Sequence, residues 1–414
     1  MNPARLPRWL NATLSAWLLF WASLIVVYNH AGALAYAGLV VLLGAAGWIV
    51  LARRTALRGR AVLFGLPFAF LFGWMVITTR WGALGAETAW RLGLQLVLML
   101  SLPAYLMTRG EGAKTALSHI LMATAVGGAA LMLADALSGY GFSLAVDPVA
   151  PGSDLNYRQG EAEMHLGRGQ VAWALFAPVL LGLFATRLRS RAAWACAIAF
   201  LGLLLAGTVF NRLFVPAVIL LGGLGAFALA LRMPEPALKL SVWGAALSVL
   251  LAPLIGWVSG FATETLMARL PMSWDHRLRM WDYTLDRIGE RPLTGHGLDA
   301  SRVMQDGFTT RIGVDIPFIS LHPHNVGLQV WLELGGLGAV FAAGALLTLH
   351  APLSRLAGRN RWRTAALAGL VTGLTVAAAV TLGAWQYWWW GLAVMAAALV
   401  ALVPEPPLQL ADEA

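Results

Sequence analysis

The sequence predicts an all-α integral membrane protein with about twelve transmembrane helices. Of its 414 residues, 59% are hydrophobic and only 12% are charged, whereas about a quarter of the residues in a soluble domain are charged. Apolar runs of roughly 20 residues, the length needed to cross a hydrocarbon core of ~30 Å, recur along the whole chain. Basic residues cluster in alternate loops, as expected when successive loops face opposite sides of a membrane.

The apolar runs give the predicted spans in chain order. They cover residues 9–28, 31–51, 61–79, 88–107, 117–137, 170–186, 192–208, 213–231, 240–260, 325–349, 364–383 and 386–403. Very short loops separate the first two and the last two spans, so merged or split spans are the alternative there. We expect a single polytopic domain over 1–414, with one long polar loop at 260–324 that contains short amphipathic helices.

The distribution of Lys and Arg predicts how the chain is oriented. The loops at 53–60, 187–191 and 355–363 are rich in arginine, so this side is expected to be the cytoplasm and to hold both termini. The net charge of +9 then reflects topology. The sequence has no basic patch interleaved with aromatic residues of the kind that binds nucleic acid. The single cysteine, Cys196, excludes an intramolecular disulfide.

Several arginines depart from this charge bias and are candidates for binding an anion. Arg212 lies in a very short loop between two apolar spans, where a guanidinium is costly unless it faces a wet cavity or an anion. Arg80 and Arg91 flank a similarly short loop. Seven further arginines lie in the 260–324 loop, where acidic residues of the same loop can pair with them, so either role is open for each.

The long loop contains a predicted amphipathic helix that begins near Ser273 and ends before Pro292. Its apolar residues recur at helical spacing, at Leu278, Trp281, Leu285 and Ile288. Asp275 and Arg279 stand four residues apart and are placed to form an ion pair. We expect this helix to lie on the membrane surface or to cover the bundle. Arg277, near its N-terminal end, is a candidate anion ligand.

The tenth predicted span carries a polar stripe that begins beside a histidine. The stripe recurs every four residues along one helix face, at Asn325, Gln329 and Glu333. Glu333 would lie roughly 12 Å below Asn325, and a carboxylate at that depth needs a partner in the bundle interior. His324, at the top of the stripe, is the candidate acid–base residue because histidine changes its protonation state near neutral pH. His322 and His296 are alternatives.

Three glycines follow the stripe, and a tryptophan-rich segment follows the eleventh span. Gly335, Gly336 and Gly338 are expected to allow the close approach of a neighbouring helix. The segment 385–390 is expected to form an interfacial aromatic belt, with sugar stacking as the alternative. Neither a zinc-ligand pattern nor a phosphate-binding glycine motif is present in the sequence. We therefore expect no metal and no cofactor.

These residues resemble the bacterial O-antigen ligases, within a wider group that includes O-antigen polymerases and protein O-oligosaccharyltransferases. The hallmark is a histidine and an Asn, Ser or Gln, then nine residues, a Gly, two more residues and a Gly, Thr or Tyr. His324-Asn325 with Gly335 and Gly338 matches it. The loop stretch 277–297 is similar as well, and Asn211-Arg212 stands where the family usually has Ser-Arg. The resemblance is strongest over about 205–340.

The resemblance implies a C-type membrane glycosyltransferase whose active site faces the periplasm at the inner membrane, without metal or nucleotide. The donor would be an undecaprenyl-diphosphate-linked glycan and the acceptor a sugar of the lipid A core, with inversion at the anomeric carbon. His324 would act as general base on the acceptor hydroxyl or orient it. Arg212 and Arg277 would bind the diphosphate, with Arg80 and Arg279 as further candidates, and the polar stripe would support the site.

Two alternatives remain open at this point. An O-antigen polymerase shares the loop signature and the carrier-linked glycan, although the complete His-to-Gly pattern and the compact chain favour a ligase. A transporter of an anionic lipid or glycan would also need buried arginines. Such transporters carry inverted repeats or broken spans in matching halves, and the sequence shows neither.

Overall fold

A computed structural model shows a mostly helical chain. It describes residues 8–33, 36–52, 60–83, 85, 87–99, 101–107, 109–146, 154–188, 190–259, 265 and 269–404. The predicted loop boundary at 260 and the ends of both termini, which we expect in the cytoplasm, lie outside the described residues.

The first half of the chain ends in one long, enclosed helix. Its helices are α1 (Arg8–His30), α2 (Tyr36–Ala52), α3 (Arg60–Thr78), α4 (Glu87–Met99), α5 (Leu102–Met107), α6 (Glu111–Leu137), α7 (Gly141–Val146) and α8 (Leu155–Leu183). A π-helical turn, Phe184–Leu188, extends α8. In the most apolar stretch of α8, 89% of the residues are buried. In the corresponding stretches of the other long apolar helices among the described residues, 33% to 56% are buried. Helix α8 is therefore the centre of the bundle.

The second half holds the long loop and the remaining helices. These are α9 (Arg191–Phe210), α10 (Phe214–Arg232), α11 (Pro234–Leu250), α12 (Gly256–Ser259), α13 (Met272–Glu290), α14 (Val326–Thr348), α15 (His350–Ala357), α16 (Arg361–Val380) and α17 (Tyr387–Leu399). Short 3₁₀ turns lie at Ala252–Ile255, Ala300–Val303 and Val400–Leu402. In the loop, β1 (Gly307–Thr309) and β2 (Asp315–Pro317) form an antiparallel hairpin, with Phe308 opposite Ile316.

The all-α membrane class is confirmed, whereas the count of twelve spans stays a prediction. Each predicted span overlaps a helix. Within the described residues, six helices are long and apolar enough to cross a membrane, and other apolar helices, such as Ala12–Val27 and Gly65–Thr78, are shorter. The predicted fourth span is divided in two, because α4 ends at Met99 and α5 begins at Leu102.

Close packing of α10 against α16 sets the position of Arg212. A Cβ on Gly369 would lie 2.7 Å from the carbonyl oxygen of Gly223, so the two backbones touch. Ile219, one turn earlier on α10, meets Gly373, one turn later on α16, so the helices run antiparallel. Arg212, just before α10, therefore lies at the end of the bundle where α16 terminates.

Helix α13 confirms the predicted amphipathic helix. Leu278, Trp281 and Ile288 on its apolar face are buried in one hydrophobic cluster with Leu328 and Leu332 of α14. The Trp281 indole N–H also donates to the carbonyl of residue 323, at 2.9 Å. Helix α13 therefore covers the N-terminal turns of α14 and fixes the segment that leads into them.

Helix α14 is broken at Gly335, where φ is +67° and ψ is −171°. Backbone groups exposed by a break inside a bundle must find other partners, and the loop segment 292–297 supplies them. Gly336 N donates to Pro292 O at 2.8 Å, while His296 N and Gly297 N donate to the carbonyls of Leu332 and Glu333 at 2.9 Å. The prediction that these glycines accommodate a neighbouring helix is wrong for Gly335, which lies against the loop backbone at Leu293 and Thr294, and for Gly336, which faces Pro292 O. It stays a prediction for Gly338.

Replacing Gly335 with alanine is expected to destabilise the protein. A Cβ at this position would lie 2.3 Å from the carbonyl carbon of Leu293, and a backbone with φ at +67° and ψ at −171° alone costs an L-residue roughly 1–3 kcal/mol. The measurement is thermal unfolding of the purified variants in detergent. Gly344→Ala is the control in the same helix, because the nearest atom to a Cβ there is 3.9 Å away on Pro67. Equal melting temperatures for the two variants would contradict the role assigned to the break.

Candidate functional site

Two histidines lie together just before α14. The rings of His322 and His324 meet edge to face, with their centroids 4.5 Å apart. His322 is only 6% exposed, and a Cβ on Gly383 would lie 2.6 Å from its ring. The pair is therefore enclosed between the start of α14 and the segment that follows α16.

The contacts of His324 define which of its ring nitrogens holds the proton. Its Nδ1 lies 2.9 Å from the carbonyl oxygen of Thr381. A carbonyl only accepts hydrogen bonds, so in the neutral ring Nδ1 is the donor and Nε2 keeps a lone pair. The backbone of His324 is left-handed, with φ at +53°, a conformation that is costly for this residue type and concentrates at functional sites.

His322 adopts the opposite tautomer. Its Nδ1 lies 3.2 Å from the backbone nitrogen of His324, which donates to it, so the ring proton of neutral His322 sits on Nε2. The two rings thus present complementary atoms. The Nε2 of His324 accepts a proton or hydrogen bond, while the Nε2–H of His322 donates one.

Burial keeps both imidazoles neutral at physiological pH. It lowers the pKa of His324 to about 4 and the pKa of His322 to about 3, because a buried charged ring loses its hydration. The positive charge of Arg277 lowers both pKa values further. The Thr381 carbonyl acts in the opposite direction on His324. The base form of His324 is therefore already present near pH 7.

Arg277 is held by the same end of α16 as His324. Its Nε donates to the carbonyl of Val380 at 3.1 Å, next to the Thr381 carbonyl that binds His324. Its Nη1 donates to Ser273 O at 2.9 Å, and the guanidinium lies 5.5 Å from the centre of the Trp274 ring. Burial lowers the pKa of Arg277, but a guanidinium stays charged in proteins. The structure thus brings a fixed cation and a neutral base together.

The carboxylate of Glu333 ties three parts of the chain to this site. It is fully buried and accepts hydrogen bonds from four donors: Ser301 Oγ at 2.7 Å, Gln329 Nε2 at 2.9 Å, the Trp385 indole N–H and the backbone N–H of Asp299. Gln329 also accepts from the backbone N–H of Ala384 at 2.7 Å. The predicted polar stripe therefore joins the long loop to the segment after α16.

Asn325 has a structural contact at the top of the stripe. Its side-chain oxygen accepts from the backbone N–H of Leu328 at 3.0 Å, which makes it the N-cap of α14. Such caps stabilise a helix start by about 1 kcal/mol. Asn325 thus supports the site by fixing where α14 begins, directly after His324.

The remaining candidate arginines have different surroundings. Arg279 forms the predicted ion pair with Asp275, at 3.2 Å, which favours the structural interpretation for this residue. Arg212 is exposed and left-handed, with φ at +55°. Arg80 is exposed beside Trp81, whose indole N–H donates to the segment 292–297. Within the described residues, the guanidinium groups of Arg212 and Arg80 have no hydrogen bond or ion pair.

Two further predictions concern aromatic groups. The alternative histidine, His296, is engaged elsewhere, with its Nε2 2.7 Å from the carbonyl oxygen of Arg287. The interfacial belt stays a prediction for the 385–390 segment, although three of its tryptophans make hydrogen bonds within the protein. Trp385 donates to Glu333, while Trp389 and Trp390 donate to the carbonyls of residues 383 and 384. Each of these three indole N–H groups therefore has a hydrogen-bond acceptor within the protein.

Sequence reasoning missed Thr381, Val380 and Ser301. The first two act through backbone carbonyls, which no side-chain pattern reports. Ser301 is an isolated serine in a long loop, and only its contact with Glu333 distinguishes it. The only indication in the sequence was that a carboxylate as deep as that of Glu333 needs a hydrogen-bond partner in the bundle interior.

These features define a helical membrane protein with a half-buried histidine–arginine site at one end of its bundle. A family model described as O-antigen ligase matches residues 174–343, from within α8 to beyond the break in α14. The match confirms the resemblance to the O-antigen ligase family over the region that carries Arg277, His324 and Glu333.

The chain is also similar to proteins from Rickettsia that are named as candidate polysaccharide ligases. One from Rickettsia conorii is 28% identical over 149 residues, which is 35% of this chain and 36% of the relative. One from Rickettsia bellii is 26% identical over 192 residues, or 45% and 46%. One from Rickettsia prowazekii is 27% identical over 149 residues, or 35% and 36%. The chain thus spans less than half the length of each of these relatives.

Replacing Glu333 with glutamine is expected to destabilise the fold. The amide has one acceptor oxygen in place of two, so some of the buried donors lose their acceptor, at about 1–3 kcal/mol each. Thermal unfolding in detergent measures the effect. Asp282→Asn is the control, because Asp282 is exposed on α13 and such surface changes usually stay within about 0.5 kcal/mol. A glutamine variant as stable as this control would contradict the network.

Proposed function

We propose that this protein is an O-antigen ligase, a membrane glycosyltransferase that moves a glycan from an undecaprenyl-diphosphate carrier to the lipid A core. The observation that carries the proposal is the half-buried, neutral His324, with its Nε2 lone pair available and Arg277 held beside it. The family match over residues 174–343 supports the same reaction class.

In the proposed reaction His324 is the general base. The acceptor hydroxyl attacks the anomeric carbon of the donor sugar while its proton passes to Nε2 of His324. The bond from that carbon to the carrier diphosphate breaks, and the diphosphate leaves with the bonding electron pair on the face opposite the attacking hydroxyl, so the configuration inverts. A positioned general base contributes about 10²- to 10⁴-fold to such a step.

In the protein without substrate, His324 is a weak base because its pKa is about 4. A bound substrate raises this pKa. A diphosphate anion bound nearby favours the imidazolium and so raises the pKa of His324 in the complex. The same anion offsets the positive charge of Arg277, which lowers the pKa in the free protein. Proton transfer to His324 therefore becomes more favourable when the donor substrate is bound.

Arginines stabilise the leaving diphosphate in this proposal. Arg277 is the first of them, because two backbone carbonyls fix its guanidinium and a preorganised cation needs no rearrangement as charge develops. Arg212 and Arg80 extend the set, since both guanidinium groups are exposed at the same end of the bundle. Arg279 is the weakest member because Asp275 already pairs with it.

We further propose that the site faces the periplasm at the inner membrane, with both termini in the cytoplasm. The support is the clustering of basic residues at the other end of the bundle, including Arg187, Arg232 and Arg363, as the positive-inside rule requires. The reaction as proposed uses the side chains above and the two substrates, with no metal, nucleotide or other cofactor.

Transfer by the purified protein tests the proposal. Wild type is incubated with a lipid-diphosphate-linked glycan and lipid A core in EDTA without ATP, and the product on the core is quantified. His324→Ala is expected to lower the rate at least about 100-fold, since the general base is lost. His119→Ala, an exposed histidine on α6, is expected to match wild type.

Two results would contradict the proposal. Equal rates for folded His324→Ala and wild type would remove His324 from the chemistry. Glycan chains that lengthen on the carrier, with nothing transferred to the core, would indicate a polymerase.

A further inference from the structure

The turn that carries His324 has a costly backbone conformation for its residue type. His324 follows Pro323 directly and is left-handed, with φ at +53°. A left-handed residue after a proline is the pattern of type II turns, which usually place glycine there because an L-side chain is strained. Glycine has no imidazole, so a residue that acts as the base must accept this strain. Contacts around the turn therefore have to offset it.

His322 makes the contact that holds the strained residue. Its Nδ1 accepts the backbone N–H of His324 at 3.2 Å, two residues along the chain, as the side-chain oxygen does in an Asx turn. Among the described residues, this N–H group has no other acceptor. Pro323 restricts the turn further, because a residue before proline is biased towards extended backbone. The side chain of His322 and the backbone of His324 therefore close one turn.

The ring of His322 is fixed from outside the turn as well. Gly383, in the segment after α16, packs so closely that a Cβ there would lie 2.6 Å from the ring. The same segment binds the His324 ring, whose Nδ1 lies 2.9 Å from the carbonyl oxygen of Thr381. Helix α13 fixes Pro323 between the histidines, because the Trp281 indole N–H donates to its carbonyl at 2.9 Å. The turn is thus held on both sides.

The state of His322 suits an acceptor. The residue is 6% exposed, and burial lowers its pKa to about 3, so the ring is neutral near pH 7. An imidazolium has no acceptor nitrogen, so the hydrogen bond to His324 requires this neutral form. His322 itself is a poor candidate for the base, because its Nδ1 lone pair is engaged and its Nε2 carries the ring proton.

We propose that His322 is a positioning residue for the transfer reaction and acts through the backbone of His324. The hydrogen bond from the His324 N–H group to His322 stabilises the left-handed turn, and the turn sets the direction in which the His324 ring leaves the chain. The Thr381 carbonyl then fixes the ring so that Nε2 keeps its lone pair. This inference rests on the proposed function of His324 as general base.

Two substitutions at position 322 separate positioning from other roles. His322→Asn keeps an acceptor that reaches the N–H group two residues on, whereas His322→Phe keeps a ring and has no acceptor. The kcat and the KM for the lipid-diphosphate-linked glycan are measured in the transfer assay. We expect His322→Phe to lower kcat roughly 10- to 100-fold with little change in KM, since a catalytic group displaced by about 1 Å loses up to about 100-fold. We expect His322→Asn to stay within about fivefold of wild type.

Hydrogen exchange at the His324 amide gives a second measurement that does not depend on transfer. It is followed by ¹⁵N NMR of histidine-labelled protein, with His324→Gln to assign the signal. The amide is expected to be protected in wild type and in His322→Asn, and to exchange at least about tenfold faster in His322→Phe. If wild type transfers no glycan, the proposed function fails, while this exchange pattern still decides whether His322 holds His324. His119→Phe, on the exposed face of α6, is the matched control and is expected to behave like wild type.

Three results would overturn the positioning role. The first is a wild-type kcat in His322→Phe, and the second is unchanged exchange of the His324 amide in that variant. The third is an equal loss of kcat in His322→Asn and His322→Phe, which would indicate that His322 acts on the substrate through its Nε2–H instead.

Gly383→Ala tests the same contact if His322→Phe does not fold. The added methyl group displaces the His322 ring, so kcat is expected to fall. The double variant Gly383→Ala/His322→Asn is expected to recover kcat, because asparagine is smaller and still accepts the N–H group. A wild-type kcat in Gly383→Ala, or no recovery in the double variant, would contradict the role of His322.

Discussion

The buried carboxylate of Glu333 is the constraint on which the geometry of the site depends. A carboxylate inside a bundle is stable only if donors surround it, and its donors come from the long loop, from α14 and from the segment after α16. Through Trp385, and through Gln329 to Ala384, it fixes the segment that begins at Thr381. The carbonyl that sets the tautomer of His324 is therefore placed by a residue that need not touch a substrate.

The break at Gly335 completes this arrangement. Without it, α14 would satisfy its own backbone, and the N–H groups of His296 and Gly297 would lose their acceptors on α14. With it, the carbonyls of Leu332 and Glu333 accept N–H groups from the loop segment 292–297, which leads into the turn that carries Asp299 and Ser301. Gly335 thus allows the loop to bind to α14, and this loop supplies two of the donors to the Glu333 carboxylate.

The sequence was sufficient where side-chain periodicity carries the information. The spacing of Asn325, Gln329 and Glu333 indicated one polar face, and the spacing of Asp275 and Arg279 indicated an ion pair, which the structure shows. The sequence was insufficient where backbone atoms make the contacts. The carbonyls of Val380 and Thr381 have no pattern of their own, and the partner of Gly335 is a loop because a broken helix needs hydrogen bonds more than close helix packing.

The central claim is that His324 is a neutral base with its proton on Nδ1 and a lone pair on Nε2. A pH titration followed by ¹⁵N NMR of the ring nitrogens in histidine-labelled protein tests it most directly, with His324→Gln to assign the signals. We expect a protonated Nδ1 and an unprotonated Nε2 from neutral pH downward until the ring titrates near a pKa of about 4. A proton on Nε2 at neutral pH, or titration near the ordinary value of 6.5, would contradict it.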